Sequence, residues 1–241
     1  MQWSAVEGID IQDRPAELIR ATFDGGEMAA WAGVAHSFPG YADAVAGTRD
    51  YYDSLGSTTQ PPKPQNLPPW ASTVRYRHIT TLNATDTHIT ARICTLRRFI
   101  KPFGEPTRYS GDGSFFGVSP HTLDIVLSKP ADTSPGVPGE RDDSPEHDPP
   151  GNNQPHWNVY GNWTIDAIHD PYGDNGVFGT EPECIAWWKQ LFPGWTSVTR
   201  PGDFRPPHPV NGPWEWYNLL ALDPPAPPSY PEWIAPKGAD A

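Results

Sequence analysis

Three side chains in this sequence have the chemistry of a cofactor-free acid–base catalyst: Asp124, Asp166 and His78. Proton abstraction needs a carboxylate or imidazole held at the edge of an apolar cavity, where its pKa can be tuned. Asp124 and Asp166 both alternate away from the apolar sides of their own segments, which weakens that role. A second group is cationic. Arg75, Arg77 and Arg92 present guanidinium forks that suit carboxylates or phosphates. The same three are equally readable as a solvated sheet face or as the internal partner of an acidic loop at 132–148. A third group is aromatic: Tyr76, His78, Trp157 and Trp163 are expected on one side of a sheet, lining a pocket for an apolar ligand or forming an ordinary core.

Other familiar chemistry is missing. The sequence has no Walker A, GxSxG, HExxH, CxxC or Gly-rich dinucleotide motif, so no cofactor and no metal site is expected. The oxygen-rich stretch from Asp170 to Gly176 lacks the spacing and terminal Glu of an EF-hand. His78-Ile79-Thr80 and His88-Ile89-Thr90 repeat a His-x-Thr pattern used by two-histidine phosphoesterases. The expected register puts those histidines on opposite faces, where they cannot meet one phosphate.

The element that must position most of these groups is an antiparallel hairpin over residues 74–96. Its arms, VRYRHITTL and THITARICTL, are rich in β-branched residues and flank a polar tip, Asn83-Ala84-Thr85-Asp86. A four-residue tip pairs Leu82 with Thr87, Thr80 with Ile89, His78 with Ala91 and Tyr76 with Ile93. That register gathers Val74, Tyr76, Thr80, Leu82, Ile89, Ala91 and Ile93 on one face. Arg75, Arg77, His88, Thr90, Arg92 and Cys94 fall on the other.

Around the hairpin, three helical pieces are expected first. Asp13 opens one through Phe23 that stops at Gly25-Gly26; Met28, Trp31, Ala32 and Ala35 repeat at helical spacing; a third runs from Ala42 to Leu55. A proline-stiffened linker follows from Ser57 to Pro69. Residues 101–119 read as loop, His121 to Ser128 as a third strand and Trp157 to His169 as a fourth. Residues 130–155 form an acidic, Pro-rich loop with the composition of disorder. A helix after Thr180-Glu181-Pro182-Glu183 turns Cys184, Trp187, Trp188 and Leu191 inward. Residues 1–193 thus make a single α+β domain, and residues 194–241 an extended Pro/Trp-rich strap.

Bulk composition bounds the partners. The net charge is −12, from 29 acids against 17 bases, which argues against nucleic acid as a partner. No run is long and apolar enough for a membrane span. Proline (31) and glycine (22) are frequent, but 11 tryptophans argue for a folded core inside long loops. Exactly two cysteines, Cys94 and Cys184, sit in expected regular elements, so a disulfide tying the last helix to the hairpin is expected over two unrelated buried thiols. That fits an extracytoplasmic or secreted protein; without a visible signal peptide, a virion or cytoplasmic origin is the alternative.

Amphipathic helices, then a long curved hairpin, then two antiparallel strands ending in Trp163-x-Ile165, resemble the NTF2-like (cystatin-like α+β) superfamily. The texture is similar to that of exported actinobacterial NTF2-like domains, where a Thr-rich strand runs through a cysteine as Thr87 to Cys94 does here. The resemblance covers residues 13–169; the insertion at 130–155 and everything after 193 depart from it. It implies N-terminal helices packed on a curved four-stranded antiparallel sheet around a cone-shaped pocket. Some such relatives, of ketosteroid-isomerase or cyclase type, are pocket enzymes with Asp or His bases; many only bind. The leading expectation is a non-catalytic exported or surface binding module for a protein partner or small apolar ligand. The rivals are a cofactor-free pocket enzyme and a structural protein of a larger assembly such as a phage virion.

Overall fold

The computed structural model describes residues 1–48, 73–99, 121–143, 154–171, 181–191, 193, 196–197, 204–205 and 229–238. The linker at 57–69, the whole 101–119 loop, most of the 170–176 stretch, Thr180, Trp214 and Trp216 lie outside them. The fold is α+β. Five strands form one mixed sheet in the order β1-β2-β3-β4-β5: Gln2–Ala5, Thr73–Ala84, His88–Phe99, His121–Ser128 and Thr164–His169. β2 to β5 form an antiparallel meander, whereas β1 pairs in parallel with β2. The expected four-stranded antiparallel sheet is therefore corrected to a five-stranded mixed one. β1 is only four residues long and is made by a partner more than seventy residues away, so no local alternation announces it.

The hairpin exists, but its register is not the expected one. The ladder runs to Ala84 opposite Ile89, and Thr85 N–H donates to His88 O at 2.8 Å, so the tip is shorter than four residues. Leu82 faces Ala91, four residues beyond its expected partner Thr87. The register then shifts between Ile79 and Thr81, leaving Thr80 as an extra residue, and Tyr76 faces Leu96, three residues beyond Ile93. Because side chains alternate with a period of two, a shift of four preserves the sorting of faces and a shift of three inverts it. Leu82, Ile89, Ala91 and Ile93 share a face as expected. Val74, Tyr76 and His78 go to the opposite one, and Arg75 and Arg77 take their place.

Both faces are covered. On one, α1 (Arg14–Ala32) and the short α2 (Tyr41–Val45) pack over Ile79, Ile93, Leu123, Ile125, Leu127, Ile165 and Ile168 in the main core. On the other, α3 (Pro182–Leu191) lays Cys184, Trp187 and Trp188 on Cys94, Leu96 and Tyr76. Ile93 and Cys94 are consecutive and belong to different clusters, which fixes α1 and α3 on opposite faces. Two-residue strands β6 (Thr196–Ser197) and β7 (Phe204–Arg205) pair with each other.

Three helix and strand boundaries depart from expectation. α1 runs straight through Gly25-Gly26. A Cβ on Gly25 would lie 2.9 Å from Tyr41 Cδ2 and 3.1 Å from Tyr160 Oη, so that glycine permits close packing rather than ending the helix. Gly25→Ala should destabilise by about 1–2 kcal/mol in chemical denaturation, because overpacking of about 1–3 kcal/mol outweighs the helix-propensity gain of about 0.5–1 kcal/mol. A gain in stability would mean that Tyr41 relaxes freely. The expected helix from Ala42 is described only as α2, ending at Val45, beyond which Thr48 Oγ1 donates to Ile165 O at 2.7 Å. β5 starts at Thr164, not Trp157, because the Asn158 side chain accepts from the N–H of Tyr160 and Gly161, both at 3.0 Å, and turns the chain.

The acidic segment is more ordered than its composition implies, where it is described. Residues 134–142 pack along α1: Gly139 N–H donates to Glu17 at 2.7 Å, Asp142 N–H to Gln12 at 2.6 Å, and Arg14 donates to Pro135 O and Val159 O. Glu17 is only 4 % exposed and α1 is enclosed on several sides, which explains why its buried positions exceed one helical stripe.

Candidate functional site

The expected sites do not assemble as drawn. Trp157 and Trp163 are buried in the α1-side core, whereas Tyr76 joins the α3-side cluster and His78 stacks on Trp187. The proposed four-aromatic pocket is thus split between the two sheet faces. Its cause is the residue inserted at Thr80, which inverts β2 below that point. Among the described residues, no group of three or more His, Cys, Asp or Glu could hold a metal.

The arginine patch also divides. Arg77 is 2 % exposed and forks between Asp24 (Nη1–Oδ1, 2.7 Å) and Glu27 (Nη2–Oε1, 2.7 Å) of α1. Arg75 Nε donates to the other oxygen of Glu27 at 3.1 Å. The Arg77 guanidinium lies over Trp3 at 5.2 Å and Phe23 at 5.1 Å, and Trp3 Nε1 donates to Asp24 at 3.2 Å. Burial pushes the Asp24 carboxyl up, and the facing Arg77 charge pulls it down. Arg92, on the α3 side, donates from Nε and Nη2 to the two oxygens of Asp124 at 2.7 and 2.9 Å and from Nη1 to Glu181 at 3.1 Å. All three arginines are thus neutralised by the protein's own carboxylates, so they form internal ion pairs rather than an anion patch. The cause is the sequence-distant approach of α1 to β2, of β4 to β3 and of Glu181, just ahead of α3, to Arg92.

The acid–base candidates fare differently. Asp124 is engaged with Arg92, and Asp166 accepts from Thr164 Oγ1 at 3.1 Å. His78 sits at the β1–β2 side of the sheet with Nδ1 2.8 Å from Ser4 Oγ. Its ring lies parallel to Trp187, 5.2 Å between centroids and 11° between planes. Burial holds its pKa below the ordinary value of 6.5, so the neutral ring prevails at pH 7. Ser4 Oγ also lies 3.4 Å from Arg77 O and can donate there, so the neutral ring meets the hydroxyl at Nδ1 as acceptor or as donor according to its tautomer. Because the folded pKa is depressed, the stabilisation is full above pH 6.5 and is lost as pH falls through the folded value. Thermal melts of wild type and His78→Gln between pH 8 and 5 should diverge above that window and converge below it. Parallel curves would contradict the burial argument.

His88 needs a separate correction. It shares the α3-side face with His78 after all, since Thr90, Arg92 and Cys94 alternate with it and Cys94 is opposite His78. It is six strand residues from Cys94, roughly 20 Å, so the two histidines still cannot meet.

Trp187 and Ser4 completed this edge unannounced. Trp187 lies three residues after Cys184, and the Cys94–Cys184 disulfide, with Cα atoms 5.3 Å apart, docks α3 where its indole meets His78. The cysteine pairing was the only local signal for that contact. Ser4 had none, because β1 itself is invisible locally. Thr122 Oγ1 adds a 3.3 Å contact to Cys184 Sγ.

No family model matches the chain, and no curated protein or solved structure matches it.

Proposed function

We propose that this chain is a non-catalytic extracytoplasmic binding module whose recognition edge is built by Tyr76, His78 and Trp187, with Ser4 behind them. The observation that carries the reading is the parallel stack of the partly buried His78 ring on the Trp187 indole, which is 7 % exposed, backed by a hydrogen bond to Ser4. A preset stack of flat rings offers a further ring a large contact at small ordering cost. Its ligand is therefore a small apolar ring or an aromatic side chain of a protein partner. The Cys94–Cys184 bond supports an oxidising compartment. We also keep the cystatin-like α+β reading, which is supported by α1 followed by the β2–β5 meander. β1, α3 and the Pro/Trp-rich segment after 193 are read as additions to that plan.

The test uses flat ring probes, namely indole, 2-naphthol and p-nitrophenol, titrated by calorimetry and by NMR of the His78 and Trp187 rings. Saturable binding is expected, weakened at least tenfold in His78→Ala and unchanged in Trp163→Phe. Absence of binding, or equal binding by His78→Ala, would overturn the reading. One observation favours a second reading, a cofactor-free acid–base enzyme: the neutral His78 ring poised against Ser4 Oγ. A fluorophosphonate probe distinguishes them, since only a nucleophilic Ser4 would be labelled.

A further inference from the structure

Residues 229–238 are held against the domain as an extended strip. Trp3 N–H donates to Tyr230 O at 2.9 Å and Tyr230 N–H to Met1 O at 2.9 Å, which adds the strip in parallel to the outer edge of β1. Glu140 N–H donates to Ile234 O at 3.0 Å, an antiparallel bridge to the 134–142 segment. Glu232 N–H donates to Asp142 Oδ2 at 3.0 Å, and Asp142 itself is 4 % exposed. Trp233 is the anchor, 3 % exposed, edge-on to Phe38 at 5.5 Å and beneath the Arg20 guanidinium at 4.6 Å. Arg20 Nη1 also donates to Pro231 O at 3.4 Å.

This is recognition of an extended peptide by β-augmentation with one aromatic anchor, a mode that depends on the peptide and not on its covalent tether. In sequence, 23 residues, eight of them proline, separate Arg205 from Ser229. A strip that leaves its own groove exposes the edge of β1 and a pocket lined by Phe38 and Arg20, and the complement that fits both is the same strip from another molecule. An exchange of that kind restores every hydrogen bond and the Trp233 contact, so it costs little beyond association entropy.

We propose that the groove between β1, α1 and the 134–142 segment takes residues 229–238 from a second copy of the chain, linking copies through exchanged C-terminal strips. This inference is independent of the aromatic edge, which lies at Tyr76, His78 and Trp187. It deepens the assembly reading of the sequence by naming the connecting element.

The probe is a fluorescein-labelled peptide of residues 229–238, titrated against full-length protein. Full-length Trp233→Ala, whose own strip has lost its anchor, should bind it saturably. Wild type should bind at least tenfold more weakly, because its tethered strip competes at high effective concentration. A peptide carrying Trp233→Ala should not bind. No binding to a disulfide-bonded, folded Trp233→Ala protein, or equal binding of the two peptides, overturns the proposal. A second arm avoids that variant: full chains with p-benzoylphenylalanine at Tyr230, one batch nitrogen-15-labelled, are refolded together at high concentration and irradiated. Heavy–light cross-linked peptides joining position 230 to β1 are expected, and exclusively heavy–heavy and light–light products overturn the exchange.

Discussion

Replacing both cysteines with alanine should lower the unfolding free energy by about 3–5 kcal/mol, with α3 detaching first. Cys94 and Cys184 are fully buried and 90 residues apart in sequence. A bond closing a loop that long removes about 4–5 kcal/mol of chain entropy from the unfolded state, and measured losses run from about 2 to 5 kcal/mol. The bond also fixes the cluster that α3 forms with the sheet among the described residues, in which Trp187 and Trp188 cover Leu96 and Tyr76. Equilibrium denaturation followed by tryptophan fluorescence and by far-ultraviolet dichroism checks this. The variant should show an early fluorescence step from Trp187 and Trp188 before the sheet signal changes. One coincident transition at the wild-type midpoint would mean that packing alone holds α3. In wild type, no thiol should react on denaturation without reductant, and two should react per chain with it.

Arg77→Met should cost at least about 3 kcal/mol, more than most single substitutions in the apolar core. The residue has no solvent to fall back on, and neither has Asp24, at 2 % and 5 % exposure. Removing the guanidinium leaves a buried carboxylate whose strongest countercharge has gone, while Trp3 and Phe23 lose the cation between them. Arg77→Lys should recover little, since an ammonium cannot fork to Asp24 and Glu27 together. The double variant Arg77→Met with Asp24→Leu should be markedly more stable than Arg77→Met alone, because the orphaned charge is then absent. Urea midpoints for the three variants check it. If the single and double variants coincide, the pair is not coupled and the cluster is ordinary packing.

That cluster also marks where the sequence stops being readable. Arg77 belongs to a run of basic residues that looked solvated, and nothing near it in sequence supplies its partners; Asp24, Glu27 and Trp3 all arrive from distant elements. What local pattern did determine was the strand from His121 to Ser128, with Leu123, Ile125 and Leu127 all buried, and the α3 stripe of Cys184, Trp187 and Trp188. Those segments carry their period in their own residues. The hairpin was legible as a hairpin but not in register, because a shorter tip and one inserted threonine leave the hydrophobic pattern nearly unchanged. Gly25-Gly26 misled for the opposite reason: glycine ends helices through backbone freedom, but here it serves two tyrosine rings. The pairing of Cys94 with Cys184 was anticipated, and it alone put α3 on the correct strand. The proposed recognition edge is only half legible, with Tyr76 and His78 singled out but expected on the opposite face.

The extra residue at Thr80 decides which side chains share the edge with Trp187, so the most direct measurement is the set of interproton contacts across the two hairpin arms. Nuclear Overhauser contacts should join Tyr76 to Leu96 and the His78 ring to the Trp187 indole. Contacts joining Tyr76 to Ile93, with none between His78 and Trp187, would return the aromatic residues to the α1 side and remove the proposed recognition edge.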